Sequence, residues 1–297
     1  MRHLARHGSG FTLVELIAVI TLSSILGLVV WRNLSLPIRG FVDVKQRTAI
    51  VAMARLALGR MSRELTLALP NSVRISSDGL ALEMLRTSAG GRYRAEAVPS
   101  DAASNPLNLS ATSDSFQTLG TWTIPTSVRT STDVTACMAG SADCLAIYNT
   151  GIPSSCAAQS AGTRTNAWCG DNLAGIVSAV AATGVITVNR AAAGTVWPTG
   201  SPEQRFFVVD TAVSFICSGT SLRRYSGYAL TSTQPIPPSV TGNLLADSVA
   251  ACAFSYQAGS ATRAGLVNLS LTLSVTNPDG VVEKITLFDQ VHLPNSP

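Results

Sequence analysis

Few residues of this chain are spaced in a way that would support catalysis. After the first ten positions the sequence has one histidine, His292. A Ser-His-Asp triad needs its three groups within hydrogen-bonding reach, whereas Asp210, Asp247, Asp279 and Asp289 are scattered along the sequence. The chain also lacks a G-x-S-x-G elbow, an H-E-x-x-H helix and a phosphate-binding loop. We therefore predict that it is not an enzyme and that it needs no cofactor.

The cysteines favour disulfides over a metal site. Their number is even, no C-x-x-C occurs, and one histidine is too few for Cys/His zinc ligation. Three disulfides formed in an oxidising compartment are predicted; the alternative is buried free thiols in a cytosolic protein. Six cysteines allow fifteen connectivities, of which we favour the sequential one: Cys137–Cys144, Cys156–Cys169 and Cys217–Cys252.

Residues 11–31 form an apolar run. About 20 helical residues cross the hydrocarbon core of a bilayer, so this run predicts a transmembrane helix. It is too long for the apolar region of a secretory signal, and no small-residue cleavage site follows it. Arg2 and Arg6 place the N-terminus in the cytoplasm by the positive-inside rule. We therefore predict a single-pass membrane protein with its N-terminus in the cytoplasm and its head on the other side of the membrane.

Glu15 is the one charged residue within that run. A carboxylate inside a bilayer costs about 2.5–3.5 kcal/mol on insertion scales. Glu15 lies close to the start of the run, so it either reaches the cytoplasmic headgroups or acquires a partner after insertion.

The segment Gly10-Phe11-Thr12-Leu13-Val14-Glu15-Leu16 resembles the type IV prepilin signature. That resemblance implies a leader at residues 1–10, cleavage between Gly10 and Phe11 by prepilin peptidase, and N-methylation of Phe11. It also implies that Glu15 pairs with the Phe11 amine of a neighbouring subunit, which removes a lone buried charge. The implied partners are other major and minor pilins and an inner-membrane assembly platform. The implied location is first the inner membrane, with the head in the periplasm, and then a pilus or pseudopilus at the cell surface.

Residues 32–69 are predicted to form a stem. Pro37 and Gly40 are expected to interrupt the helix, which then resumes over residues 41–69 and ends at Pro70-Asn71. Apolar residues recur at helical spacing and predict a face that packs on a sheet. This stripe comprises Ile50, Met53, Ala57, Met61, Leu65 and Ala68.

Residues 70–297 are predicted to form a β-rich head, which gives an α+β fold with a long N-terminal helix. Residues 206–217 predict a buried central strand, and residues 100–135 and 150–172 are predicted loops. Asp78-Gly79 and the segment 277–280 predict turns. Calcium binding by their aspartates is the less favoured interpretation. The predicted strands are 73–76, 80–86, 145–149, 185–189, 205–217, 221–229, 252–256, 266–275 and 283–292.

Short motifs in the head resemble the O-type minor prepilins of mannose-sensitive haemagglutinin (MSHA) pili. They are LPNSVRI at 69–75, YNTG at 148–151, SPEQRF at 201–206, LRRYSGY at 222–228 and QVH at 290–292. The general layout is also similar to J-type minor pseudopilins of type II secretion. These resemblances imply a subunit that initiates or caps a filament. The alternatives are a secretion pseudopilin and a tip adhesin that binds a surface or glycan through loops 100–172.

The charge balance does not suggest nucleic-acid binding. The chain has 21 basic and 17 acidic residues, a net charge of +4. Loss of Arg2 and Arg6 with the predicted leader would leave 4 − 2 = +2. Such a weak field does not favour a polyanionic partner.

Overall fold

The computed structural model describes residues 10–101, 104–120, 127–259, 263–277 and 280–293, and only the backbone of residues 35–39. The chain divides into two units. One unit comprises residues 1–50 and 275–283, and the other comprises 51–274 and 284–297.

One helix, α1, extends over Leu13–Leu65 and contributes residues to both units. It continues through Pro37 and Gly40, so the predicted interruption is not observed. Proline removes one backbone donor, and the loss of one hydrogen bond does not end a helix that has helix-forming residues on both sides.

The predicted stem helix was too long at its C-terminal end. After Leu65 the chain turns and pairs with a strand: the Leu69 N–H donates to the Leu85 carbonyl at 2.8 Å, and the Thr87 N–H donates to the Leu67 carbonyl at 2.8 Å. These sheet-like hydrogen bonds replace the last helical turn.

In the unit that begins at residue 51, α1 buries part of the predicted apolar stripe, whereas Met53 is half-buried. Ala57, Met61 and Leu65 are each at most 2% exposed. Two polar contacts fix the helix on the sheets: the Ser62 hydroxyl donates to Asp289, and Glu64 pairs with Arg224 at 2.8 Å.

The same unit contains a nine-stranded antiparallel sheet in the order β1-β2-β3-β6-β5-β4-β7-β8-β9. A short helix, α2 (Val134–Met138), precedes β4. The strands are β1 (Arg74–Ile75), β2 (Ala81–Tyr93), β3 (Ser113–Leu119), β4 (Cys144–Ile147), β5 (Leu173–Val180), β6 (Val185–Asn189), β7 (Arg205–Ser218), β8 (Ser221–Ser226) and β9 (Asn243–Ala246).

Six strands of this sheet close into a ring. Strand β2 pairs with β7 along most of its length and also with β3 at its end, where Arg92 and Tyr93 lie opposite Leu119 and Thr118. The circuit β2-β3-β6-β5-β4-β7 is thereby complete. Each of these strands contributes to one hydrophobic cluster that includes Tyr93, Phe116, Leu145, Ile176, Ile186 and Phe206. The ring leaves its member strands without a long free edge.

Strand β7 is the predicted central strand. It pairs with β2, β4 and β8, and every residue from Val209 to Cys217 except Asp210 is at most 9% exposed. A strand covered on both faces has a continuous apolar sequence, and this is why it was recognisable.

A second sheet has three strands in the order β10-β11-β12. They are β10 (Val249–Gln257), β11 (Gly265–Thr276) and β12 (Val282–Leu293). β11 and β12 are joined through the predicted turn at 277–280, of which residues 278 and 279 lie outside the described residues. The predicted α+β layout, a long N-terminal helix followed by a large antiparallel β-rich region with three disulfides, is confirmed.

The prediction that residues 100–135 form a loop was wrong at β3, which pairs with β6 over five residues, and at the start of α2. The sequence of β3, SDSFQTL, has Phe116 as its only large buried residue. Apart from Leu119 its other side chains are polar, and most of them are partly or fully exposed, so the composition resembled that of a loop.

Candidate assembly site

The predicted cleavage site lies just before α1. Gly10, Phe11 and Thr12 precede the first helical residue, Leu13, and the Phe11 side chain is 80% exposed. A Cβ added to Gly10 would meet no atom within 4 Å. No contact among the described residues therefore requires glycine at this position. Residues 1–9 of the predicted leader lie outside the described residues.

Thr12 and Glu15 form a capping box. The Thr12 N–H and hydroxyl donate to Glu15 Oε2 at 3.0 and 2.9 Å, and the Glu15 N–H donates to Thr12 Oγ1 at 3.3 Å. This reciprocal arrangement satisfies donors that a helix leaves unpaired in its first turn. The carboxylate therefore has a local structural role. The T-x-x-E spacing of residues 12–15 is visible in the sequence and is the signal from which this capping box could have been predicted.

Residues Leu13–Leu34 form a 22-residue segment with a mean hydropathy of 2.5, and it is exposed throughout. At 1.5 Å per residue, it is about 33 Å long, enough to span a bilayer core. Its hydroxyl groups donate to helix carbonyls: Thr21 to Ile17 at 3.0 Å and Ser24 to Ile20 at 2.7 Å. Such bonds lower the cost of placing polar groups in an apolar medium.

The head contains three disulfides, in the sequential pairing: Cys137–Cys144, Cys156–Cys169 and Cys217–Cys252. The first joins α2 to β4, the second closes the loop after β4, and the third joins β7 to β10.

The loop closed by Cys156 and Cys169 is organised around Asp171. This carboxylate accepts hydrogen bonds from the Arg164 guanidinium at 2.6 and 2.7 Å and from the Gly162 N–H at 2.8 Å. Burial raises the pKa of Asp171, but the bonds from Arg164 and Gly162 outweigh it, so the net pKa is lowered. This part of the predicted binding region is therefore a loop with a defined conformation, held by hydrogen bonds to Asp171.

Replacing Asp171 by asparagine is expected to lower the free energy of unfolding by about 2 kcal/mol at neutral pH, because it removes charge-assisted hydrogen bonds. A lowered pKa stabilises the fold above the ordinary value of 3.8, and this contribution is lost as pH falls through the folded-state pKa. The difference between variant and wild type should therefore shrink in acid. Urea denaturation across pH tests this, with the exposed Glu96→Gln as control. A pH-independent difference would contradict the role of the charge.

Two motifs that lie far apart in the sequence meet at Asn149. Its side-chain NH₂ donates to the Pro70 carbonyl at 2.6 Å, and the Asn71 side chain donates to the Asn149 carbonyl at 3.0 Å. The Asn149 Oδ1 accepts from the Ala167 N–H at 2.7 Å. Segment 69–71 is thus bound to segment 148–151 and to the disulfide loop.

The other quoted motifs also make contacts within the head. The Ser201 N–H donates to the Tyr93 hydroxyl at 2.9 Å, and the Gln290 side chain donates to Asn268 at 2.9 Å. His292 lies exposed on β12, and within the described ranges it has no hydrogen bond to a serine or aspartate.

Part of the predicted binding region, loops 100–172, borders a cavity. The charged residues that line this cavity form ion pairs with one another. A cavity of about 390 Å³ is lined by Arg86, Arg129, Asp143 and Asp210, among others. Arg86 pairs with Asp210 at 2.5 Å, and Arg129 pairs with Asp143 at 2.8 Å. Because these charges neutralise each other, the described residues that line the cavity present no unpaired charge to a ligand.

The comparisons with known proteins concern the N-terminal segment. A family model described as the prokaryotic N-terminal methylation motif matches residues 6–31. That range includes Gly10, Phe11, the capping box and most of the apolar segment. Searches of curated proteins and of solved structures found no match. The motif and the exposed apolar helix together support a type IV pilin-like, membrane-anchored protein of the kind that prepilin peptidase processes and that assembles with other pilins.

Proposed function

We propose that this chain is a minor pilin that helps to initiate or cap assembly of a type IV pilus of the MSHA type. The observation that carries the proposal is a prepilin motif, residues 6–31, on an exposed apolar helix that leads into a large disulfide-bonded head. In this proposal the subunit is first held in the inner membrane, with its N-terminus cytoplasmic and its head periplasmic. The role is structural and not enzymatic.

The size of the head supports a place at the end of a filament. The β-rich region extends from Arg74 to Leu293. A head of this size is hard to repeat along a smooth shaft, whereas a tip or initiating complex needs few copies. Deletion of the protein should therefore reduce the number of pili counted by electron microscopy. Normal piliation with failed protein export would instead assign the chain to a secretion pseudopilus.

The first experiment is mass spectrometry of the N-terminal peptide from membranes of cells with and without prepilin peptidase. We expect a peptide that begins at N-methylated Phe11 and that is absent without the peptidase. An intact Met1 start, or a cut beyond Trp31, would reject the pilin proposal.

We further propose that Glu15 serves assembly through its charge and folding through its cap. Glu15→Gln keeps an oxygen for the Thr12 donors but removes the charge, whereas Thr12→Ala removes the hydroxyl contacts of the capping box and keeps the charge. We expect Glu15→Gln to be cleaved normally but lost from sheared filaments. Thr12→Ala should enter filaments, with a helix end weakened by about 1 kcal/mol. Equal incorporation of Glu15→Gln and wild type would contradict a role for the charge.

A further inference from the structure

The outward face of α1 in the second unit combines basic, small and apolar residues. We call it the basic stem face. Leu56 is 74% exposed at its centre, although leucine is usually buried. The face comprises Ala52, Arg55, Leu56, Gly59, Arg60 and Arg63, which lie on one side at helical spacing.

The described residues of the head leave this face exposed. The opposite side of the helix carries the buried residues, among them Ala54, Leu58 and Met61, which are at most 4% exposed. The exposed leucine is thus additional to the intramolecular core.

No contact with the part of the chain that the structure describes explains Gly59. A Cβ at this position would meet nothing within 4 Å, and the residue has ordinary helical backbone. Glycine in a helix interior is less favourable than alanine. Between Leu56 and Arg63 it creates a shallow gap, and a small residue at such a place lets another helix approach closely.

The charges on the face are incompletely neutralised. Arg60 pairs with Glu64 at 3.2 Å, but Glu64 is shared with Arg224. Within the described ranges, Arg55 and Arg63 have no ion pair. Over its whole length α1 has seven basic and three acidic residues. A second copy placed stem to stem would therefore add like charges.

We propose that the basic stem face docks an acidic helix of a different subunit and disfavours a second copy of this chain. The inference rests on the proposed pilin function and names the chemistry of the partner: carboxylates opposite Arg55 and Arg63, and a backbone close to Gly59. A subunit of this kind would enter a filament singly, between unlike neighbours.

The test uses two differently tagged full-length copies in bacterial membranes, each with Ala52→Cys. All six native cysteines are in disulfides, so the introduced thiol is the reporter. The probe for an acidic partner is the chain itself with Arg55→Glu and Arg63→Glu. After mild oxidation, we expect at least about threefold more cross-linking between a basic and an acidic copy than between two basic or two acidic copies.

Two further variants separate charge from packing. Lys284→Glu with Arg92→Glu makes the same charge change elsewhere on the head and should leave cross-linking at the basal level. Gly59→Leu in the basic copy should return the mixed pair to the basal level without lowering the melting temperature. Equal cross-linking in all three pairings would overturn the proposal.

Lipid is the competing occupant of a basic face. Maleimide labelling of the Ala52→Cys variant in phosphatidylcholine vesicles, with and without phosphatidylglycerol, tests it. Protection of the introduced thiol that requires both phosphatidylglycerol and the two arginines would assign the face to lipid and overturn the proposal. The Phe11 peptide is measured in the same membranes: if it is not methylated, the pilin function fails, and if it is methylated with equal cross-linking, only the docking surface fails.

Discussion

Replacing Arg74 by methionine is expected to lower the free energy of unfolding by about 3–5 kcal/mol at neutral pH, because it leaves a buried carboxylate without its cation. Glu83 is 0% exposed, and Arg74 Nε lies 2.5 Å from its Oε2. The Tyr228 hydroxyl donates to the other carboxylate oxygen at 2.8 Å. Arg74 also lies over the Trp168 ring, with its guanidinium carbon 3.8 Å from the ring centroid.

The loss should depend on pH. Burial raises the pKa of Glu83, and the charge and hydrogen bond of Arg74 oppose that rise. Without Arg74 the pKa rises further. A folded carboxyl with a raised pKa binds more protons than the unfolded one, so stability falls as pH increases above the ordinary value of 4.5. The variant should therefore lose more stability at pH 8 than near pH 4.5.

The measurement is urea denaturation of the full chain in detergent at both pH values. The control is the double variant Arg74→Met with Glu83→Leu, which removes both charges and should recover much of the loss. If Arg74→Met costs less than about 1 kcal/mol and shows no pH dependence, Glu83 does not carry a buried charge that Arg74 balances.

The regular strands were predictable because their sequences have a strong signal. The bounds of β6 agree with the prediction, and β7 is one residue longer than predicted. Both are rich in β-branched or aromatic residues. Pairing between Tyr93 and Thr118 was not predictable, since it depends on how distant segments meet and not on local preference.

Strand β5 was missed because a neighbouring segment restricts its side chains. A Cβ at Gly175 would lie 2.4 Å from the backbone of Asp133, the N-cap of α2. The close approach requires a residue without a side chain, and Gly175 follows the small Ala174. Small residues weaken the strand signal. The close contact with Asp133 therefore explains both why glycine is present in β5 and why this strand was not predicted.

The candidate assembly site was predictable in its parts but not in its contacts. The prepilin motif lies within about seven consecutive residues, and local sequence determines such a segment. The basic stem face was less visible, because the sequence pattern predicts the apolar stripe of this helix but not which residues of its other side stay uncovered. Whether a charged residue of the helix has a partner depends on which strands approach the helix. Glu64, for example, pairs with Arg224, which is 160 residues away in the sequence.

Replacing Cys217 and Cys252 by alanine is expected to lower the free energy of unfolding by about 4 kcal/mol, the largest effect among the three disulfides. The bond closes a separation of 35 residues, and restriction of the unfolded chain increases with the length of the closed loop. The corresponding value for Cys137 and Cys144, which are 7 residues apart, is about 2 kcal/mol. That pair is the matched control.

The longer disulfide should also have a local effect that the shorter one lacks, because it joins the nine-stranded sheet to the three-stranded sheet. Beside the disulfide, two backbone hydrogen bonds connect β10 to turns of the nine-stranded sheet. The Phe254 N–H donates to the Gly79 carbonyl at 2.8 Å, and the Val249 N–H donates to the Thr220 carbonyl at 3.0 Å. Without the covalent link, the amides of β10 and β11 should exchange with deuterium faster than those of β4 and β7. Equal acceleration in both sheets would mean that the disulfide acts only on the unfolded chain. The loss of a link between the sheets should instead accelerate exchange in one sheet more than in the other.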